Sequence, residues 1–312
     1  MYELGGMHLD GEAGFSAASR QHVAVMADEV VRLVRACKPI LIVDATVGTG
    51  GHAERMLEET GANLLGLDRD DAALRVAAER LGRFGARVTL RQADFCDLDL
   101  ILDQAGTSTA SAIIADLGMS SFALDDPERG FSFGSEGPLD MRMDRGQKLR
   151  AYDIVNEESE EELVRILRDL GEERAARQVA RAIVIARRRH PLQTTGELAI
   201  IVASAAGGRR VGAINPATRT FQALRIAVNR ELESLAALLE KAPLRLTAGG
   251  RMVVLAYHSL EDRPVKQRFR ELTKTEEFSA VSRKAMRPEA KEIANNRRAH
   301  SARLRCIERV SR

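Results

Sequence analysis

The chain has 312 residues, 45% of them hydrophobic and 29% charged, with a formal net charge of +2. It reads as a soluble globular protein with room for one large core or two smaller ones. No apolar run approaches the roughly 18 residues of a membrane span, and Met1–Phe15 lacks the basic start and apolar stretch of a secretory leader. Cys37, Cys96 and Cys306 are scattered, odd in number and unlike any zinc spacing, as suits a reducing cytoplasm.

Val25–Cys37 carries apolar residues at helical spacing and precedes a strand at Ile40–Val43. Gly51–Thr60 reads as a helix, Ala62–Asp68 as a strand, Asp70–Phe84 as a helix, Arg87–Phe95 as a third strand and Ser111–Gly118 as a fourth. Such alternation implies βαβ units and a parallel, doubly wound α/β sheet, with the ligand outside the carboxyl ends of the strands. After Ser121 the rhythm changes. Leu124–Asp144, rich in Gly, Pro and charge, reads as an ordered surface loop. Helical patterns follow from Ala151 to about Arg189 and at Thr194–Ala206, where Thr194 and Glu197 form a capping box. The expected division is a helical insertion at 122–212 within an α/β domain made of 1–121 and 213–312. The α/β pattern resumes with one long helix at Thr218–Ala242, a turn at Gly249–Gly250, a strand at Arg251–Ser259 and a closing strand within Ser301–Val310.

Ile40–Ala53, ILIVDATVGTGGHA, joins a strand, a glycine-rich turn and a helix start. Gly48, Gly50 and Ala53 fit the dinucleotide fingerprint G-x-G-x-x-[GA]. A pyrophosphate, however, needs an approach free of negative charge, and Asp44 stands four residues before Gly48. Asp44 favours a ligand with a cationic part, such as the ammonium and sulfonium of S-adenosylmethionine. Asp68 could hold the ribose hydroxyls of either cofactor. Asp94 and Phe95 suit an adenine edge and face, and Asp116 faces the reacting group. A nicotinamide-dependent dehydrogenase stays as the rival enzyme, disfavoured by Asp44 and by the lack of a recognisable hydride-transfer site.

The segments DATVGTGGH, LDRDDAAL, ADLGMSS, ERGFSF, GPLDMRMD, GEERAARQVARAI, NPATRTFQALRIAVNREL, HSLEDRPVK and SARLR follow one another along nearly the whole chain. In them the chain resembles the bacterial small-subunit rRNA cytosine methyltransferases of the RsmH (MraW) family. The resemblance implies a Rossmann-like class I methyltransferase sheet with an inserted all-helical substrate domain, and S-adenosyl-L-methionine as cofactor. It places cofactor binding on Gly50, Gly51, His52, Asp68, Phe95 and Asp116. It implies transfer to the exocyclic amine, N(4), of a cytidine in the decoding (P-site) region of 16S rRNA, within the small ribosomal subunit. Two departures stand out: SSFALD has Ala123 where the family has a glutamine contact, and Tyr257 replaces a phenylalanine before HSLED. A homodimer is left open.

The residues themselves bear on the reaction. Methylation of cytosine carbon 5 requires a cysteine nucleophile, and none stands in the segment directly after the fourth strand. Amine methylation needs alignment and an acceptor for the amine N–H; Asp116, with Ser120 and Ser121, is placed for it. Phe122, Phe131, Phe133 and Tyr257 are candidates to stack on an extruded base. His258, Glu261 and Asp262 suit structural or substrate-orienting hydrogen bonds rather than a metal. From Arg251 onward there are 16 Lys/Arg against 8 Asp/Glu, and a basic end on an otherwise acidic protein points to a polyanion. Arg174, Arg177 and Arg181 share a helical face; with Arg187–Arg189, Arg297, Arg298, Arg303 and Arg305 they are the candidate RNA contacts. A catalytically silent RNA-binding or assembly factor is the rival from another class, hinted at by Ala123 alone.

Overall fold

The computed structural model describes residues 24–207, 215 and 217–310, apart from the side chains of Ser121 and Arg297. Met1–Phe15 and the expected boundary at 212/213 lie outside the described residues.

Seven strands form one sheet: β1 (Leu41–Asp44), β2 (Asn63–Asp68), β3 (Val88–Gln92), β4 (Ala110–Asp116), β5 (Leu246–Ala256), β6 (Phe278–Ala280) and β7 (Arg303–Arg309). Their order is β3-β2-β1-β4-β5-β7-β6. β1 to β5 are parallel, and β7 runs antiparallel between β5 and β6. Strands buried on both faces must be apolar throughout, which is why runs such as LIVD and VVLA rather than alternating ones mark the centre of the sheet. Helices α1 (Ala27–Ala36), α2 (Gly51–Glu59) and α3 (Asp71–Leu81) cover one face through Val30, Val34, Met56, Leu57 and Leu81. On the other face α4 (Leu98–Gln104) packs Leu98 and Leu102.

A separate helical core follows β4. It contains α5 (Ser121–Asp125), α6 (Ala151–Glu157), α7 (Glu160–Gly171), α8 (Ala176–Arg187) and α9 (Thr195–Ala205), with the capping box of Thr194 and Glu197 formed. Helix α10 (Ala217–Asn229), beyond residue 213, packs Phe221, Leu224 and Val228 into this same core. Then α11 (Glu231–Lys241) and α12 (Ser259–Leu272) return to the sheet, and α13 (Ala290–Asn295) precedes β7.

Three expectations are corrected. The single helix at Thr218–Ala242 breaks at Arg230, which is left-handed at φ 50°. The neighbouring Asn229 is pinned: its amide donates to Met141 O, its oxygen accepts from Met143 N, and its carbonyl accepts from Arg69. Gly249–Gly250 lies inside β5 as a bulge: the register with β4 slips between Ala110↔Leu246 and Ala112↔Arg251, and a Cβ on Gly250 would lie 2.9 Å from Ser111 O. Finally, Leu124–Asp144 is ordered but is no mere surface loop. Phe131, Leu139 and Met141 are buried in the helical core, and Arg129, 3% exposed, forms a buried ion pair with Asp70 at 2.6 Å while donating to the carbonyls of Arg142 and Met143.

Candidate active site

Strand order reverses between β1 and β4, and a cavity of about 440 Å³ opens there at the carboxyl ends of the strands. Its floor is the glycine turn. Gly48 and Gly50 take φ 52° and 85°, which a side chain disfavours. Gly50, which does not itself line the cavity, precedes α2 with no side-chain cap, and Gly51 and His52 of the first turn line it.

The acids at the strand ends differ in what already holds them. Asp44 is 1% exposed; one oxygen accepts from Thr46 N at 3.2 Å and the other has no partner among the described residues. Burial, reinforced by Asp116 and Asp68 and opposed by His52, pushes its carboxyl up to about 7. Asp68 accepts from Gly48 N at 2.8 Å and Asp70 N at 2.9 Å, yet burial still raises it to about 6. Both carboxyls would gain from a nearby positive charge; Asp68 lines the cavity, whereas Asp44 is buried outside its lining, next to Ala45 and Thr46, which do line it. Asp94 is different. Arg69, Ser234 and Cys96 N occupy its carboxylate, which these partners hold below the usual range despite the opposing effect of burial, and it does not line the cavity. The expected adenine-edge role for Asp94 is therefore corrected; Phe95 does line the cavity, with the Arg69 guanidinium 5.9 Å from its ring centre.

Asp116, at the end of β4, is held from two sides. Tyr257 at the end of β5 donates its hydroxyl to Oδ1 at 2.6 Å, and His52 Nε2 lies 3.3 Å from Oδ2. Burial by itself would lower the His52 imidazole, but contact with Asp116 and the field of Asp44 raise it. Burial and Asp116 push the Tyr257 phenol well above its ordinary value, so it stays protonated and donating. Sequence reasoning placed Tyr257 as a stacking ring and missed this bond, which joins residues 141 positions apart.

The remaining candidates are distributed as follows. Ser120 caps α5, accepting from Ala123 N at 3.2 Å, and lines the cavity beside Ala123. The backbone of Ser121 begins α5, and its side chain lies outside the described residues, as does that of Arg297. Phe131 and Phe133 line the cavity, and Phe122 does not. His258 lines it with Nε2 3.1 Å from Glu261 Oε1, while Glu261 also accepts from Tyr257 N at 2.8 Å. Arg298 lines it and pairs with Asp125 at 3.1 Å. Arg174, Arg177 and Arg181 are exposed, but Arg174 sits in the turn before α8 rather than on the helix.

Part of the basic end is paired within the fold. Asp262 takes Arg303 at 2.7 Å and Arg305 at 2.8 Å, Arg251 pairs with Glu308, and Arg263 with Glu172. In the helical unit, Arg187 donates to Val155 O at 2.8 Å and to Glu158 O. Among the described residues no cysteine lines the cavity and no group of three or more His, Cys, Asp or Glu could hold a metal ion.

This strand order, with an antiparallel β7 and an acid-lined glycine turn at the switch point, defines a Rossmann-like methyltransferase that uses S-adenosylmethionine. The sequence profile of the MraW methylase family matches residues 19–310, and the chain belongs to that family. It is 46% identical over 308 residues to the ribosomal RNA small subunit methyltransferase H of Syntrophotalea carbinolica, covering 93% of this chain and 98% of the relative. The protein of that name from Sorangium cellulosum is 44% identical over 290 residues, covering 93% and 91%. Among solved structures, an rRNA methylase from Streptococcus thermophilus aligns with a TM-score of 0.41 at 12% identity, over 91% of this chain and 94% of that one.

Proposed function

We propose that this protein methylates the exocyclic amine, N(4), of a cytidine in the P-site region of 16S rRNA, in the cytoplasm and on the small ribosomal subunit. Relatives named for the small-subunit rRNA support the substrate class, and the resemblance of the sequence motifs supports the nucleotide. The observation that carries the choice of atom is the clamped Asp116 in a cavity that no cysteine lines. Carbon-5 methylation would need such a thiolate; transfer to an amine needs an acceptor that orients the N–H and aims the nitrogen lone pair.

Bound S-adenosylmethionine supplies an electrophilic methyl group. Gly50, Gly51 and His52 form the turn that receives it, Asp68 takes the ribose hydroxyls, Phe95 lies against the adenine, and Asp44 balances the positive charge from below. Asp116 accepts the amine proton, assisted by Ser120 and Ser121. Residues 122–212, joined by α10, act as the substrate-recognition unit, with Arg174, Arg177 and Arg181 on RNA phosphates and His258, Arg297 and Arg298 as further RNA contacts. The experiment is incubation with 16S rRNA and with small subunits in the presence of methyl-labelled S-adenosylmethionine, followed by nucleoside mass spectrometry. N(4)-methylcytidine at one position supports the reading; 5-methylcytidine or a methylated purine overturns it.

A further inference from the structure

The cavity has a second half above the glycine turn, walled by the helical unit. Leu124, Phe131, Phe133, Met143 and Phe221 make it apolar, and the rings of Phe133 and Phe221 meet edge to face with centres 5.2 Å apart. Besides Thr218, two polar groups from α10 line this wall next to Phe221. One, Arg225, is already held by Glu231 through two bonds of 2.8 and 2.9 Å. The other is Gln222. It is half-buried, lines the cavity, and makes no hydrogen bond among the described residues. A carboxamide carries two donors and two acceptor sites, and those of Gln222 have no protein partner among the described residues. The arrangement suits a flat ligand with a polar edge.

We propose that Gln222 is a specificity-determining residue that reads the Watson–Crick edge of the acceptor cytosine. This rests on the cytidine reading above. Cytosine presents an amine N–H beside a bare ring nitrogen, N3, and a carboxamide answers that pair with its oxygen and its N–H. Asp116, on the strand side of the same cavity, takes the second amine N–H. A uracil would set its carbonyl oxygen against that carboxylate, so the two side chains divide the task. Asp116 demands an amine, and Gln222 demands an unprotonated ring nitrogen beside it.

The test is a double substitution, one on the enzyme and one on the base. Wild-type protein and Gln222→Leu are assayed on 16S rRNA whose target is cytidine or 3-deazacytidine, in which N3 becomes C–H. The expected kcat/KM falls about 10- to 100-fold for either change alone, with little further loss when both are present. Calorimetric affinity for S-adenosylmethionine stays within about twofold, which shows that Gln222→Leu is folded; Gln222→Ala repeats the measurement should the leucine variant fail that control. Losses that multiply, or a Gln222→Leu enzyme as active as wild type, overturn the assignment. Absence of N(4)-methylcytidine from the wild-type reaction on ordinary rRNA instead overturns the functional reading on which it rests.

Discussion

The strand side and the helical side of the cavity are built on opposite principles. The strand side gathers ionisable groups, Asp44, Asp68, His52 and Asp116, and leaves some of their valences unmet. The helical side gathers rings and aliphatic groups and brings in a single unengaged amide. On the function proposed above, the first would receive a charged small molecule and the second a flat, weakly polar one, and the two sides meet at Asp116.

Substitutions can break this contrast in graded steps. The largest effect belongs at the meeting point: Asp116→Ala is expected to lower kcat at least about 100-fold, measured by methyl incorporation at saturating cofactor. Next, Asp68→Ala strikes the strand side alone. S-adenosylmethionine affinity should fall about 10- to 100-fold by calorimetry, while RNA affinity by filter binding is unchanged. Conversely, replacing Arg174, Arg177 and Arg181 together by alanine should weaken RNA binding about tenfold at moderate salt. It should also flatten the slope of log affinity against log salt by about 2 to 3, with cofactor affinity intact.

The smallest effect is a pH dependence. Carboxyls raised to about 7 at Asp44 and about 6 at Asp68 are mostly protonated at pH 5.5, and a cationic ligand prefers their ionised forms. Cofactor affinity should therefore tighten by roughly three- to tenfold from pH 5.5 to 8, and Asp44→Asn should remove the part of that rise near pH 7. Stability runs the other way. A group whose native value is raised holds its proton where the unfolded chain has lost it, so its contribution fades as pH rises through 7. The ligand-free Asp44→Asn protein should then melt about 2–4 °C above wild type at pH 8, read by calorimetric Tm.

What the sequence revealed was local. Asp44, Asp68 and Asp116 each close an apolar strand, and the glycine turn comes four residues after Asp44; the structure places Gly48, Gly51, Asp68 and Asp116 around one cavity, with Asp44 buried next to its lining. What it hid depends on partners distant in the chain. Nothing near Asp94 announces Arg69 and Ser234 as its partners, and nothing near Arg303 announces Asp262. The break at Arg230 is set by the loop around Met141 and Met143 rather than by helix propensity. Gln222 could have been found, since Thr218, Gln222 and Arg225 follow a three-to-four spacing on one face of TRTFQALR.

The placement of β7 has a consequence for how the protein is made. This strand follows every other strand in the chain, yet it sits inside the sheet, bonded to β5 on one side and β6 on the other. While the ribosome is still adding residues 303–309, the long edge of β5 has no partner, and Val253 to Ala256 present an apolar strand of the kind that seeds intermolecular pairing. The nascent chain must hold that edge open for a strand translated some fifty residues later. Premature termination before Arg303 therefore yields an adhesive product rather than a slightly shorter enzyme.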